Sequence, residues 1–285
     1  MSSHLNKVLA RLAGGAKCCN AVVDLAAWAA LRIDVPLVIQ QRTEAPPRFI
    51  PMGDFNGAIW LGPSGAMLND LAIEDRLRHA RRCTADEQRL LAARRHAQAL
   101  MDAPVEGSLT SGGPASETDS VLVVRSAPRR GRAGGRPSLE PGLDCELRTT
   151  KCPMLLAPSV SLSPPELVVI AFDGSIGACD RIERLRGHAL LTGLPVLLAM
   201  AGAISPMATE RLHQARQMLQ AGRFSVESTR LQGPPALAIP ALLSAQRPAL
   251  LVMGAFGGSR LRRWVSGSTT ASLLLASPVP VLIQR

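Results

Sequence analysis

Late in the chain, Gly254-x-x-Gly257 is followed after nine residues by Gly267-Ser268-Thr269-Thr270. Glycines that follow a strand let backbone amides approach an anion with no Cβ in the way. Residues 267–270 stand where a helix is predicted to begin, and the free amides and dipole of a helix N-terminus favour phosphate. The hydroxyls of Ser268, Thr269 and Thr270 add further donors. Asp173 ends an apolar run at 166–172. If the strands ending near residues 172 and 253 are neighbours, its carboxylate stands beside the glycine loop, at the switch point where open α/β sheets bind ligands. Together these residues suit the binding of a nucleoside polyphosphate. Hydrolysis would also need a base or water-orienting group near the γ-phosphate. The spacer 258–266 offers arginines (Arg260, Arg262, Arg263) and hydroxyls but no Glu, Asp, His or Gln.

The elements that must hold these residues follow from the hydrophobic pattern. Short apolar runs at 166–172, 195–200, 249–253 and 279–283, with a weaker one at 224–231, read as strands. Helices are predicted over 176–191, 206–221, 236–246 and 268–276. Strands that are apolar throughout and alternate with helices predict a parallel sheet covered on both faces.

Read in order, Val-x-Ile-Ala-Phe-Asp-Gly-Ser, Val-Leu-Leu, Gly233-Pro234, Leu-Leu-Val-Met-Gly-x-x-Gly-x9-Gly-Ser and Pro-Val-Pro-Val-Leu span residues 166–285. This stretch resembles the universal stress protein family. The resemblance implies an adenine-nucleotide alpha-hydrolase-like α/β fold: an open, parallel, five-stranded sheet of order 3-2-1-4-5. It also implies ATP or a related adenine nucleotide as ligand, with any Mg²⁺ held by the phosphates. Carried over by position, the site comprises Ala171, Asp173, Ala201, Met253, Gly254, Gly257, Gly267, Ser268, Thr269 and Thr270. Family members pair through the last strand, which here implies an intramolecular pseudo-dimer or a homodimer. Three positions depart from the family pattern. Phe172 is bulkier than the small or β-branched residue often found there and is expected to crowd the nucleoside. Ala201 replaces a frequent valine, and Ala249 stands where aspartate is common.

Residues 1–158 repeat this order loosely, and 159–285 form the second domain, with the boundary in the Pro/Ser stretch 157–165. Runs at 7–13, 35–39, 120–124 and 152–156 read as strands, and 16–31 and 68–101 as helices. The third strand and its helix are expected to be missing, because 106–119 is short and rich in Gly, Ser and Thr. Ala13 takes the aspartate position and residues 124–131 lack the ordered glycines, so this half reads as a degenerate copy kept for packing.

The 285 residues carry a formal net charge of +10, which favours polyanionic partners. Six cysteines form no CxxC pair, and no signal-peptide pattern precedes them, so a reduced cytoplasm is expected. No apolar run reaches the roughly 20 residues of a membrane-spanning helix. The basic segment 129–136 lacks interleaved aromatics, which argues against a nucleic-acid platform. Ser111-Gly-Gly-Pro-Ala-Ser116 stands too far from a first strand to act as a pyrophosphate loop. His188 and His213 read as ordinary helix residues. The expectation is a regulatory, nucleotide-binding stress protein that is not an enzyme. Two alternatives stay open: a scaffold of the same fold that binds no nucleotide, and a slow ATP-hydrolysing enzyme.

Overall fold

The computed structural model describes residues 6–12, 16–43, 64–111, 120–128, 139, 141–150, 152–202, 205–246, 248–254 and 269–284. In the first half, strands β1 (Lys7–Leu12), β2 (Leu37–Thr43), β3 (Glu106–Ser111), β4 (Ser120–Ser126) and β5 (Met154–Ala157) are joined by helices α1 (Ala16–Ile33), α2 (Ser64–Met101) and α3 (Pro141–Thr149). The second half has strands β6 (Leu167–Ala171), β7 (Val196–Ala201), β8 (Val226–Leu231), β9 (Ala249–Gly254) and β10 (Val281–Gln284). Its helices are α4 (Ile176–Leu185), α5 (Pro206–Ala221), α6 (Pro235–Ala245) and α7 (Thr269–Ala276), with a 3₁₀ turn at Ala189–Leu191.

All ten strands share one sheet, ordered β3-β2-β1-β4-β5-β10-β9-β6-β7-β8. Within each half the order is the expected 3-2-1-4-5, and every pairing there is parallel. The halves meet edge to edge where β5 and β10 run antiparallel, with Leu155 opposite Leu282. Strand alternation then sorts the apolar side chains onto two faces. One face packs under α1, α2, α4 and α5, the other under α3, α6 and α7, and each core includes residues from both halves. Arg32 adds a second tie between the halves. Its Nε donates to the Leu190 carbonyl at 2.9 Å, another guanidinium nitrogen donates to the Thr192 carbonyl, and the group lies 5.6 Å from the Trp28 ring centre.

Two sequence expectations are corrected. A third strand does exist in the first half: β3 pairs in parallel with β2 along its whole length. Its polar sequence lacks a buried stripe because it is an edge strand, held by backbone hydrogen bonds and by α2. Gly107 leaves room for Arg94 of α2, since a Cβ there would fall 2.4 Å from Arg94 Cδ. Residues 112–119, where the expected missing helix and the Ser111–Ser116 loop fall, lie outside the described residues, as do 129–138 and Ala13. The second correction concerns α4, which stops at Leu185 instead of continuing to 191. His188 is therefore the residue preceding the 3₁₀ turn, not a helix residue. His213 does lie within α5.

Two outcomes follow. Leu155 and Leu282 are both fully buried at the junction of the halves. Truncating either to Ala is expected to cost about 2–5 kcal/mol in urea unfolding, with the double variant losing less than the sum. Among the described residues the enclosed His188 Nδ1 has no hydrogen-bond partner, and burial pushes its imidazole below the ordinary histidine range. The folded protein therefore binds fewer protons than the unfolded chain. This contribution to stability is held above the unfolded value of about 6.5 and lost as pH falls toward the folded one. Urea midpoints at pH 7.5 and 5.5 are expected to differ less in His188→Gln than in the parent.

Candidate functional site

The turn after β6 is built to hold one carboxylate at the strand's end. Asp173 Oδ1 accepts hydrogen bonds from Ser175 N at 3.0 Å and Ser175 Oγ at 2.7 Å. Ser175 in turn caps α4, its Oγ accepting from Ala178 N at 3.1 Å. Between them Gly174 has φ +70°, and a Cβ there would meet Ala208 Cβ at 2.8 Å, so the position needs glycine on both counts. Arg211 of α5 donates to the Gly174 carbonyl at 2.8 Å, which pins the turn from below.

The pairing of β6 with β9 puts Ile170 opposite Val252 and carries the ends of both strands to one place. A cleft opens there, at the carboxyl ends of the parallel strands, where β7 lies on one side of β6 and β9 on the other. Its walls come from Ala171 at the end of β6 and Asp173 just after it, Ala201 on β7, and Met253 and Gly254 on β9. Pro235 and Ile239 of α6 and Leu273 of α7 roof it with apolar surface. Five of the ten residues assigned from sequence thus line one cleft. Gly257, Gly267 and Ser268, together with Arg260, Arg262 and Arg263, lie outside the described residues. Thr269 and Thr270 form the first turn of α7.

Two side chains change the picture drawn from sequence. Phe172 is 3% exposed and belongs to the core beneath α4 and α5, its N–H bonded to the Ala199 carbonyl at 2.9 Å, so it only borders the cleft. Arg181, which nothing in the sequence singled out, also lines the cleft. It reaches over the end of β9, and a Cβ on Gly254 would fall 2.3 Å from its Nε. Burial pushes the Arg181 guanidinium below its ordinary range, while the nearby carboxylates of Asp173 and Asp180 oppose that shift. Burial likewise raises the Cys179 thiol on the same helix, which disfavours the thiolate a nucleophile would need.

The sheet register identifies the corresponding places in the first half. Ala10 faces Val124 as Ile170 faces Val252, so Arg11 and Arg125 stand where Ala171 and Met253 stand. Glu146 of α3 takes the place of Leu273, each lying eight residues before the strand that follows its helix. Glu146 accepts a hydrogen bond from Arg125 and lies 3.7 Å from Arg11 Nη1, all three side chains being 12–17% exposed. An Arg–Glu–Arg cluster stands where the second half has apolar walls.

A larger cavity lies elsewhere. It measures about 330 Å³ and is bounded by α1, the end of α2 and the linker between the halves, with Trp28, Leu31 and Leu100 among its walls. Asp24 at its edge receives the Ser161 hydroxyl and contacts His96 Nε2 at 2.6 Å. The serine is bonded to the carboxylate and not to the histidine, so the group lacks the serine–base pairing of a nucleophilic triad. It straps the linker to α1 and α2. No group of His, Cys, Asp and Glu suited to a metal ion occurs among the described residues.

Residues 192–285 match the Universal stress protein family; this stretch takes in β7 to β10, and β6 with Asp173 precedes it. Universal stress protein Slr1230 of Synechocystis sp. is 36% identical over 120 residues, which span 41% of this chain and 42% of that relative. A universal stress protein from Archaeoglobus fulgidus superposes with a TM-score of 0.63 at 16% identity, covering 98% of each chain. A chain from Pseudomonas aeruginosa UCBPP-PA14 does so with a TM-score of 0.51 at 16% identity, covering 98% of this chain and 92% of its own. At those identities the two structures establish shared architecture over both halves.

The Arg–Glu–Arg cluster has a measurable consequence. Glu146→Gln is expected to leave two guanidinium groups without their shared counter-ion and to cost roughly 1.5–3 kcal/mol. Chemical denaturation of the parent and the variant checks this.

Proposed function

With a universal stress protein domain making up its C-terminal part, we propose that the chain binds an adenine nucleotide, ATP first among them, in the cleft between β6, β7 and β9. The observation that carries the reading is the convergence of Ala171, Asp173, Ala201, Met253 and Gly254, from three strands, on one cleft at the switch point. Apolar walls from Ala201, Ile239 and Leu273 suit a base. The Asp173 carboxylate keeps acceptor capacity for sugar hydroxyls beyond its bonds to Ser175. The phosphates would lie toward the segment that follows Gly254 and leads into α7, and any Mg²⁺ would be carried by them.

On this reading the protein is a regulator, not a catalyst. The cleft presents one carboxylate, that of Asp173, already engaged by Ser175 and not set to activate water. Binding would stiffen the segments around the cleft and alter the surface offered to a partner, with the two halves acting as a pseudo-dimer through β5 and β10. No helix among the described residues is long and apolar enough to cross a membrane. A cytoplasmic setting agrees with that and with the free cysteines.

A fluorescent-ATP titration tests the site. Asp173→Ala is expected to weaken binding about tenfold or more, the loss of one or two hydrogen bonds to a charged group. Gly267→Asp is expected to abolish it. Retention of parental affinity by both variants would remove the assignment. Release of phosphate at an ordinary enzymatic rate, lost on Asp173→Ala, would favour the hydrolase instead.

A further inference from the structure

Arg181 enters the cleft from the side opposite the nucleoside walls. Helix α4 packs on one face of the sheet, whereas Ala171, Ala201, Met253, Ile239 and Leu273 belong to the other. The arginine crosses between them at the end of β9. It passes so close to Gly254 that a Cβ there would lie 2.3 Å from Nε and 2.5 Å from Cζ. The missing side chain of Gly254 thus makes room for the protein's own guanidinium, a different use from the bare approach to a ligand suggested by the sequence.

Two features of this cation stand out. Among the described residues none accepts a hydrogen bond from its guanidinium or forms an ion pair with it, although Asp173 is near enough to influence its charge. A half-buried group with five donors is costly to leave without acceptors. The cleft is also small, about 50 Å³, against roughly 300 Å³ and more for a typical ligand pocket. Most of the wall is packed core, and the Arg181 side chain is its long, unpaired and rotatable part.

We infer that Arg181 is both the bar across the cleft and the group that selects the ligand's charge. Admitting a nucleoside requires the side chain to turn aside from Gly254. Once turned, the guanidinium meets a phosphate at the 5′ end of the ligand, where its forked donors are satisfied. Neutral nucleosides must displace the arginine without that return, so the site favours phosphorylated ligands. The inference deepens the nucleotide-binding reading and rests on it.

The test is calorimetric titration of adenosine, AMP and ATP into the full chain and three variants. Arg181→Ala removes bar and charge together: adenosine is expected to bind more tightly, AMP less so, and the preference for AMP over adenosine to fall at least tenfold. Arg181→Gln keeps most of the bulk and loses the charge, so AMP weakens while adenosine changes little. Gly254→Ala pushes the arginine aside without discharging it, so adenosine gains while the preference for AMP persists. A preference within twofold of the parent in both Arg181 variants, with ATP still bound, would overturn the inference and leave the nucleotide site standing. Failure of the parent and all three variants, each folded by circular dichroism, to bind any of the ligands would remove the nucleotide site and this role together. Binding of adenosine by Arg181→Ala alone would support the bar directly.

Discussion

The hydrogen-bonded register between β6 and β9 decides where every group in the cleft stands. Because Ile170 lies opposite Val252, the two strands end level, and the turn carrying Asp173 emerges beside Gly254. A slip of one residue would exchange the faces of β9. Met253 would leave the wall of the cleft, and Gly254 would no longer give Arg181 its passage. The register is secured by burial on both sides, since all six residues of β9 are enclosed. The position of a polar site is thus set by the apolar packing of the strands behind it.

The two halves show how one frame can carry different contents. Each keeps the same five-strand order, yet the places filled by Ala171, Met253 and Leu273 in one are filled by Arg11, Arg125 and Glu146 in the other. The charged set satisfies itself internally, as enclosed polar groups must. The second half instead holds a single guanidinium opposite apolar walls, an arrangement that an anion from outside would complete. The two halves therefore differ at these corresponding places in the distribution of charge and not in the strand order.

Much of this was legible in the residues. The alternation of apolar runs with helices specified the parallel sheet, and the chemistry of Asp173-Gly174-Ser175 specified the turn. The third strand of the first half was not legible. An edge strand of sequence Glu-Gly-Ser-Leu-Thr-Ser carries no hydrophobic period, and its place is decided by β2 and Arg94. The early end of α4 was signalled by Gly187, but the apolar, helix-forming residues 189–191 beyond it resemble a continuation and instead form a separate 3₁₀ turn. Arg181 was invisible for a deeper reason. One of two arginines on an amphipathic helix looks like the other until packing shows which of them lies over a glycine. Charged residues at strand ends, such as Arg11 and Arg125, were a signal in plain view that the first cleft had been rebuilt.

Joining β5 to β10 has a further effect on how the protein behaves in a crowded solution. Both strands are enclosed along their full length. Separated, each half would end in an adhesive apolar rim ready to recruit another chain. Fused, the sheet has β3 and β8 at its outer borders among the described residues, and these carry Glu106, Ser108 and Thr110 on one and Glu227, Ser228 and Arg230 on the other. Such polar, charged borders are poor templates for fibre growth, so the tandem arrangement keeps a ten-stranded sheet from propagating itself.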